Sequence, residues 1–381
     1  MAQNGRVMII GAGIGGLTAA VALRRAGRDV TVFEKMDSLK EYGAGFTMNS
    51  NAVSAVRELG LGDAVEQRGA ELKRFVHHTE DGKVLTEWPT VNISRNVGAP
   101  IIGIGRPDVQ GILAEALDAE IRFDHECVGV DQDADGVTAR FANGQEERGA
   151  VLVGADGSRS TVRPLFDPVE RRYSGYTTWL AFADFTDFPE ATHAQWYGRK
   201  LVLGAHPIGG GRTYWYAGYT AEPGGADTDP KQAVLDLFSD WAHPIPALLQ
   251  ATDVRNIARS DIYDLPRRES WGQGRVTLLG DAAHSMVPAL GQGACQAIED
   301  GVVLARHLAS ADEEGAALRA YEHERIERTW PMVRRARRLG KLMQGDNAVI
   351  GVVRNNFFRF SPTNRVLKDY EKFLRFQPQQ G

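Results

Sequence analysis

Cysteine is nearly missing from these 381 residues; only Cys127 and Cys295 occur. Their separation fits neither a zinc-ligand spacing nor a disulfide framework, and a reducing compartment suits them. Long apolar runs are missing too. None approaches the ~18 residues of a membrane span, so no stable membrane insertion is expected. Charge of one sign is not in excess either. The 44 Lys and Arg against 49 Asp and Glu leave −5, which argues against nucleic acid as a partner. The opening RVMII reads as a strand rather than a signal peptide, and the expected location is cytoplasmic. No internal repeat or low-complexity segment is visible. What is present, 43% hydrophobic and 24% charged residues, can build a sizeable core in a length that suits two domains.

RVMIIGAGIGGLTAAVALRRAGRDVTVFEK reads as strand, glycine turn, helix and strand. Residues 6–10 form a buried apolar run, 14–26 have helical periodicity ending at Gly27, and 29–34 form the next strand. Gly11, Gly13 and Gly16 make G-x-G-x-x-G between the first strand and the helix. The first allows the tight turn, the second lets a diphosphate approach the backbone, and the third lets helix and sheet pack closely. A helix N-terminus at Ile14 favours the anion. Glu34, followed by Lys35, lies 23 residues after Gly11, placed to accept hydrogen bonds from ribose hydroxyls. A dinucleotide is expected. The motif alone does not separate FAD from NAD.

Two later segments return to this texture. AVLVGADGSRSTVR carries Asp156, and RVTLLGDAAHSMVPALGQGACQAIED carries Asp281, Pro288, Gly291, Gly293 and Ala294. Helices are expected over 292–308 and 315–343. Between about 171 and 265, aromatics at strand spacing in YSGYTTW and RTYWYAGY suggest a mostly antiparallel sheet.

The three motifs in this order resemble the single-component FAD-dependent aromatic hydroxylases, within which the chain is similar to the zeaxanthin epoxidase and bacterial urate hydroxylase branches. The resemblance covers about residues 6–310. It implies an α/β fold with an α+β insertion: a p-hydroxybenzoate-hydroxylase-like FAD domain of Rossmann type (1–72, 96–170 and 272–330). A mostly antiparallel substrate sheet (73–95 and 171–271) and a C-terminal helical segment (331–381) complete it. It implies tightly but non-covalently bound FAD, with NAD(P)H and O2 as transient co-substrates. Arg106 and Gln110 would reach the flavin phosphates and ring region, Val128 would belong to the cofactor site, and Asp156 would touch both FAD and the nicotinamide nucleotide. Asp281 would hold a ribityl hydroxyl. Gly291 to Ala294 would lie against the pyrimidine end of the ring, and Gly43 to Phe46, Gly45 included, beside it. Independently of the resemblance, a helix starting near Gly293 would aim its positive end at a ring edge that becomes anionic on reduction. Asp281 with His284 is then not a hydrolytic pair, and His284 is expected to orient or pack.

The expected reaction is oxygen transfer from a flavin C4a-hydroperoxide to an aromatic or heteroaromatic ring or to an alkene. The competing readings are a flavin-dependent reductase of an isoprenoid double bond and a flavin-binding module without turnover. The expected partner is a small aromatic or isoprenoid-like substrate, bound by a monomer or homodimer. Strand alternation puts Tyr214 and Tyr216 on one face, as substrate-pocket candidates with Pro288 and with Arg199 or Lys200. The urate branch has an acid after the loop proline; here Ala289 follows Pro288, which points to a more apolar substrate. Three other patterns read as structure. DQDADG has Ala142 where a calcium loop needs a glutamate, and is expected to be a turn. His77–His78 is expected in a surface hairpin. Arg334 to Lys341 is expected to be the solvated face of a helix, with NNFFRF nearby as a weak membrane-surface signal.

Overall fold

The computed structural model describes residues 5–39, 44–166, 168–345 and 347–376. Its central layer is a five-stranded sheet in the order Val276–Leu278, Val151–Gly154, Val7–Ile10, Val30–Phe33 and Glu120–Arg122. Every pairing in it is parallel. VMII, VTVF and VLVG are buried along their whole length, as a parallel sheet covered on both faces requires. The Ile14–Arg25 and Gly293–Ala309 helices belong to the same apolar core as these strands. That core joins the two ends of the chain, Ile9 with Ile298 and Leu318.

A three-stranded antiparallel sheet, Cys127–Gln132, Val137–Phe141 and Glu146–Gly149, lies alongside. DQDADG is its first turn, closed by Asp133 accepting from the backbone N–H groups of Asp135 and Gly136 at 2.9 Å each.

The second large layer has seven strands in the order Ala258–Asp264, Arg172–Asp184, Arg212–Tyr219, Leu201–Pro207, Thr192–Tyr197, Arg74–Thr79 and Val84–Pro89. All neighbours are antiparallel except Thr192–Tyr197 with Arg74–Thr79. Trp179, Ala181, Trp215 and Ala217 form its outer face, in one cluster with Val234, Phe238, Leu248 and Leu249 of two helices, Pro230–Phe238 and Ile245–Ala251. The strand-like texture concealed both helices. A start signal was nevertheless present: Pro230 opens the first helix and Asp229 caps it, accepting from the N–H groups of Lys231 and Gln232.

His77 and His78 do lie in a hairpin, but it is not a surface one. The Arg74–Thr79 strand is paired on both sides. His77 is buried, with Nδ1 2.8 Å from the Tyr197 hydroxyl and its ring 4.5 Å from that of Phe358. The 30-residue helix Glu314–Met343 returns past both large layers and is followed by the helices Ala348–Phe360 and Thr363–Leu374. Within its basic run Arg334, Arg335, Arg338 and Lys341 are exposed. Arg337 instead pairs with the fully buried Asp264 at 2.8 Å, so that run is only partly a solvated face.

Candidate active site

Four loops leave the carboxyl ends of neighbouring parallel strands in one row: Glu34–Lys35, Gly11–Gly13, Ala155–Asp156 and Gly280–Asp281. Strand spacing makes that row roughly 15 Å long. Crevices at this edge of an open parallel sheet are where such folds take ligands.

At one end a cavity of about 200 Å³ is lined by Gly11, Gly13, Glu34, Lys35, Arg106 and Asp156, among others. Gly11 has φ +108°, and a Cβ there would come within 2.5 Å of the Ala155 carbonyl. Gly13 differs. A Cβ on it would meet nothing nearer than the Arg106 guanidinium at 3.9 Å, so the open side of the helix N-terminus faces a cation. Gly16 packs beneath the Gly11 carbonyl, the Ile14 side chain is buried, and the first-turn N–H groups of this helix have no intrahelical acceptor. Glu34 accepts from the N–H groups of Ala12 at 2.8 Å and Met36 at 3.0 Å. Gln110, one turn after Arg106, donates to the Ala12 carbonyl at 3.1 Å. Asp156 Oδ2 accepts from Thr161 N–H at 2.7 Å, whereas its Oδ1 is buried without a partner among the described residues. A cation, open N–H groups and an unsatisfied carboxylate oxygen fit a nucleotide diphosphate and its riboses. Val128 is 57% exposed and not in this lining; its neighbours Glu126 and Cys127 are. Arg159, within GADGSRSTVR, also lines the cavity and was not singled out in the sequence.

At the other end of the row Asp281 is exposed. A Cβ on Gly293 would lie 3.7 Å from its Oδ1, so the carboxylate sits beside the N-terminus of the Gly293–Ala309 helix. Gly291, at φ +60°, closes the turn Pro288–Leu290. Its carbonyl accepts from Asn49 Nδ2 at 3.0 Å, and Asn49 Oδ1 accepts from the Tyr370 hydroxyl at 2.8 Å. Pro288 is exposed and Ala294 half-buried. Gly43 lies outside the described residues. Gly45 starts the Gly45–Met48 strand, where a Cβ would come within 2.7 Å of Tyr214; there the nucleotide layer touches the seven-stranded sheet.

His284 is no partner of Asp281. Its Nε2 lies 2.6 Å from Asp300 Oδ2, which also accepts the Gly280 N–H at 2.9 Å, while Asp300 Oδ1 accepts from Arg325 Nε at 2.6 Å. Burial pushes the Asp300 carboxyl up, but His284 and Arg325 outweigh it and hold it down at about 2. Asp300 therefore fixes the loop that carries Asp281. Sequence reasoning missed it, because a helical acid 20 residues from the backbone N–H it accepts leaves no local pattern.

Toward this edge the seven-stranded sheet turns a face bearing Leu180, Phe182, Tyr214, Tyr216, Val202 and His206. The Tyr216 ring lies across Gly204, where a Cβ would come within 2.1 Å of it, and its hydroxyl is 3.1 Å from His193 Nε2. His206 sits 3.2 Å from the Thr47 hydroxyl, its ring 5.2 Å from that of Tyr214. The Tyr214 hydroxyl has no hydrogen bond among the described residues. Burial pushes both tyrosine hydroxyls up and keeps the histidines uncharged, His206 at about 4 and His193 well below its usual range. Arg199 is not brought to Tyr214. It lies with Lys200 on the exposed turn beyond Tyr197, whereas Tyr214 pairs with His206 near the far end of the strands. The residues beside the tyrosines on the adjacent strand are Val202, Gly204 and His206. Arg212, at the end of the face, is neutralised by Asp108 at 2.8 Å.

Residues 4–336 match the model of a family described as the FAD binding domain. The chain is 41% identical over 376 residues to the aurachin C monooxygenase/isomerase of Stigmatella aurantiaca, covering 98% of each. It is 38% identical over 347 residues to the chloroplastic zeaxanthin epoxidase of Solanum lycopersicum, over 84% of this chain and 52% of that longer protein. The crystal structure of Klebsiella pneumoniae HpxO complexed with FAD and uric acid superposes with a TM-score of 0.90 at 29% identity, covering 97% of this chain and 96% of that one.

Proposed function

From the premise that this chain belongs to the FAD-binding-domain family and is an FAD-dependent, NAD(P)H-using monooxygenase, we propose that it oxygenates a small, largely apolar substrate. That substrate carries an electron-rich aromatic or heteroaromatic ring, or an alkene. FAD, reduced by NAD(P)H, supplies the activation of O2. The rest falls to the protein. Glu34 accepts from ribose hydroxyls, Arg106 meets the diphosphate, and Asp281 accepts from a ribityl hydroxyl. The N-terminus of the Gly293–Ala309 helix favours negative charge developing at the ring. Tyr214, with its unpaired hydroxyl, hydrogen-bonds the substrate, while the aromatic face keeps water out.

The observation that carries the substrate class is the absence, among the described residues, of an unpaired formal charge on the face around Tyr214 and Tyr216. A site for a small organic anion would need one. Urate, bound by HpxO, is disfavoured for that reason. Oxygen transfer is preferred over alkene reduction because the relatives' names describe a monooxygenase and an epoxidase. The test is a panel of phenols, N-heteroaromatics and prenylated compounds. Members of the apolar class should stimulate NAD(P)H oxidation together with O2 uptake and give a product heavier by one oxygen. Stimulation by carboxylated or anionic substrates alone would overturn the substrate class, and anaerobic alkene reduction would overturn the reaction.

A further inference from the structure

The helix Ala348–Phe360 leaves one apolar face uncovered. Val349, Val352, Val353, Phe357 and Phe360 are 71%, 60%, 54%, 42% and 73% exposed. They are five of the nine exposed large apolar side chains among the described residues, so the exposure is concentrated here. At 100° per residue they fall within an arc of about 140°. The opposite side of the helix is anchored. Phe358 stacks on His77 and Tyr197 at 4.5 and 5.0 Å, and Arg354 donates to the carbonyls of Gly198 and Met343 at 3.0 Å each. The stripe is therefore a fixed surface on a packed helix.

Charge identifies what covers it. Residues 334–375 hold eleven Lys and Arg against three Asp and Glu, in a chain whose net charge is −5. Arg334, Arg338, Lys341, Arg359, Arg365 and Lys368 are exposed and form no ion pair among the described residues. We infer that this segment is a docking surface for an anionic phospholipid bilayer, with the apolar stripe sunk into the headgroup region and the basic side chains on lipid phosphates. A flanked, partly aromatic apolar stripe matches the way interfacial helices lie in the membrane plane, and each added cation strengthens attachment to an acidic leaflet. No helix among the described residues is long and apolar enough to cross a membrane, so the contact is peripheral. Phe358, on the same helix, packs on Tyr197, which shares a cluster with Val202 of the substrate face.

The experiment is flotation of the FAD-loaded full chain with vesicles of phosphatidylglycerol and phosphatidylcholine, and separately with phosphatidylcholine alone. The anionic vesicles should carry the protein, the neutral ones should not, and 0.5 M salt should release it, screening falling to a few ångströms, roughly 4 Å. The double variant Val353→Glu, Phe360→Glu should lose vesicle binding by about tenfold or more, with melting temperature and flavin content unchanged because both side chains are exposed. Binding that survives this variant, or no binding to anionic vesicles, overturns the inference. So does light scattering showing that the same variant splits a dimer, since a second copy would then be what covers the stripe.

Discussion

Gly11 and Gly13 stand two residues apart, yet they are constrained by different things. Gly11 is held by its own fold, through a positive φ and a carbonyl at 2.5 Å from any Cβ. Gly13 has room for a methyl group, and an extended backbone at φ −72° that other residues adopt. Gly11→Ala is therefore expected to lower the melting temperature of the flavin-free protein. Gly13→Ala should leave it unchanged and weaken FAD by tenfold or more, about 1.4 kcal/mol. Thermal melts and fluorescence titration separate the two, and an unweakened Gly13→Ala would mean the diphosphate lies elsewhere. Tyr214→Phe removes a hydroxyl that no described residue hydrogen-bonds. It should keep FAD affinity and stability while lowering substrate-stimulated kcat/KM by roughly tenfold, the value of one hydrogen bond to a bound ligand. Unchanged kinetics would return Tyr214 to the role of packing. The glycines and Glu34 were legible in the sequence because each acts on its own strand and turn. Arg199 was misplaced because its distance from Tyr214 depends on strand register, which the local pattern does not give.

At the scale of elements, the Gly280–Asp281 loop is held by the Gly293–Ala309 and Glu314–Met343 helices through Asp300 and Arg325. Asp300→Asn keeps the shape but removes the buried carboxylate that Arg325 and His284 contact. The expected loss is about 3 kcal/mol of stability, with weaker FAD because the ribityl acceptor is less fixed. Denaturant unfolding and flavin titration check this; full FAD affinity at normal stability would remove Asp300 from the positioning role. The strands and the two long helices were readable from apolar runs and periodicity. The helices Pro230–Phe238 and Ile245–Ala251 were not, because short helices on a sheet's outer face interrupt the strand texture without a long period of their own.

Across the whole molecule, three histidines, His77, His193 and His206, pack beside the tyrosines of the seven-stranded sheet, away from water. Burial takes His206 to about 4, burial and then the His78 charge take His77 to about 3, and His193 also falls well below 6.5. Their folded pKa values are depressed, so the unfolded chain binds more protons below pH 6.5 and stability falls as pH drops from there toward 4. His206 alone contributes roughly 3 kcal/mol to that loss. The Asp300 contribution has its own window, present above the ordinary 3.8 and lost as pH falls through about 2. Melting temperature should decline between pH 6.5 and 4, more gently in His206→Gln; a flat profile would show that these imidazoles are not sealed from water. No part of this was legible locally, since His77, His193 and His206 meet only when the seven strands pair.

Flavin content tests most directly whether FAD lies stretched along the carboxyl edge from Glu34 to Asp281. After incubation with excess FAD and gel filtration, the chain should be yellow with close to one flavin per chain, while Asp281→Ala, still folded, should lose most of it. A colourless protein, or an Asp281→Ala variant that keeps its flavin with unchanged affinity, would contradict it.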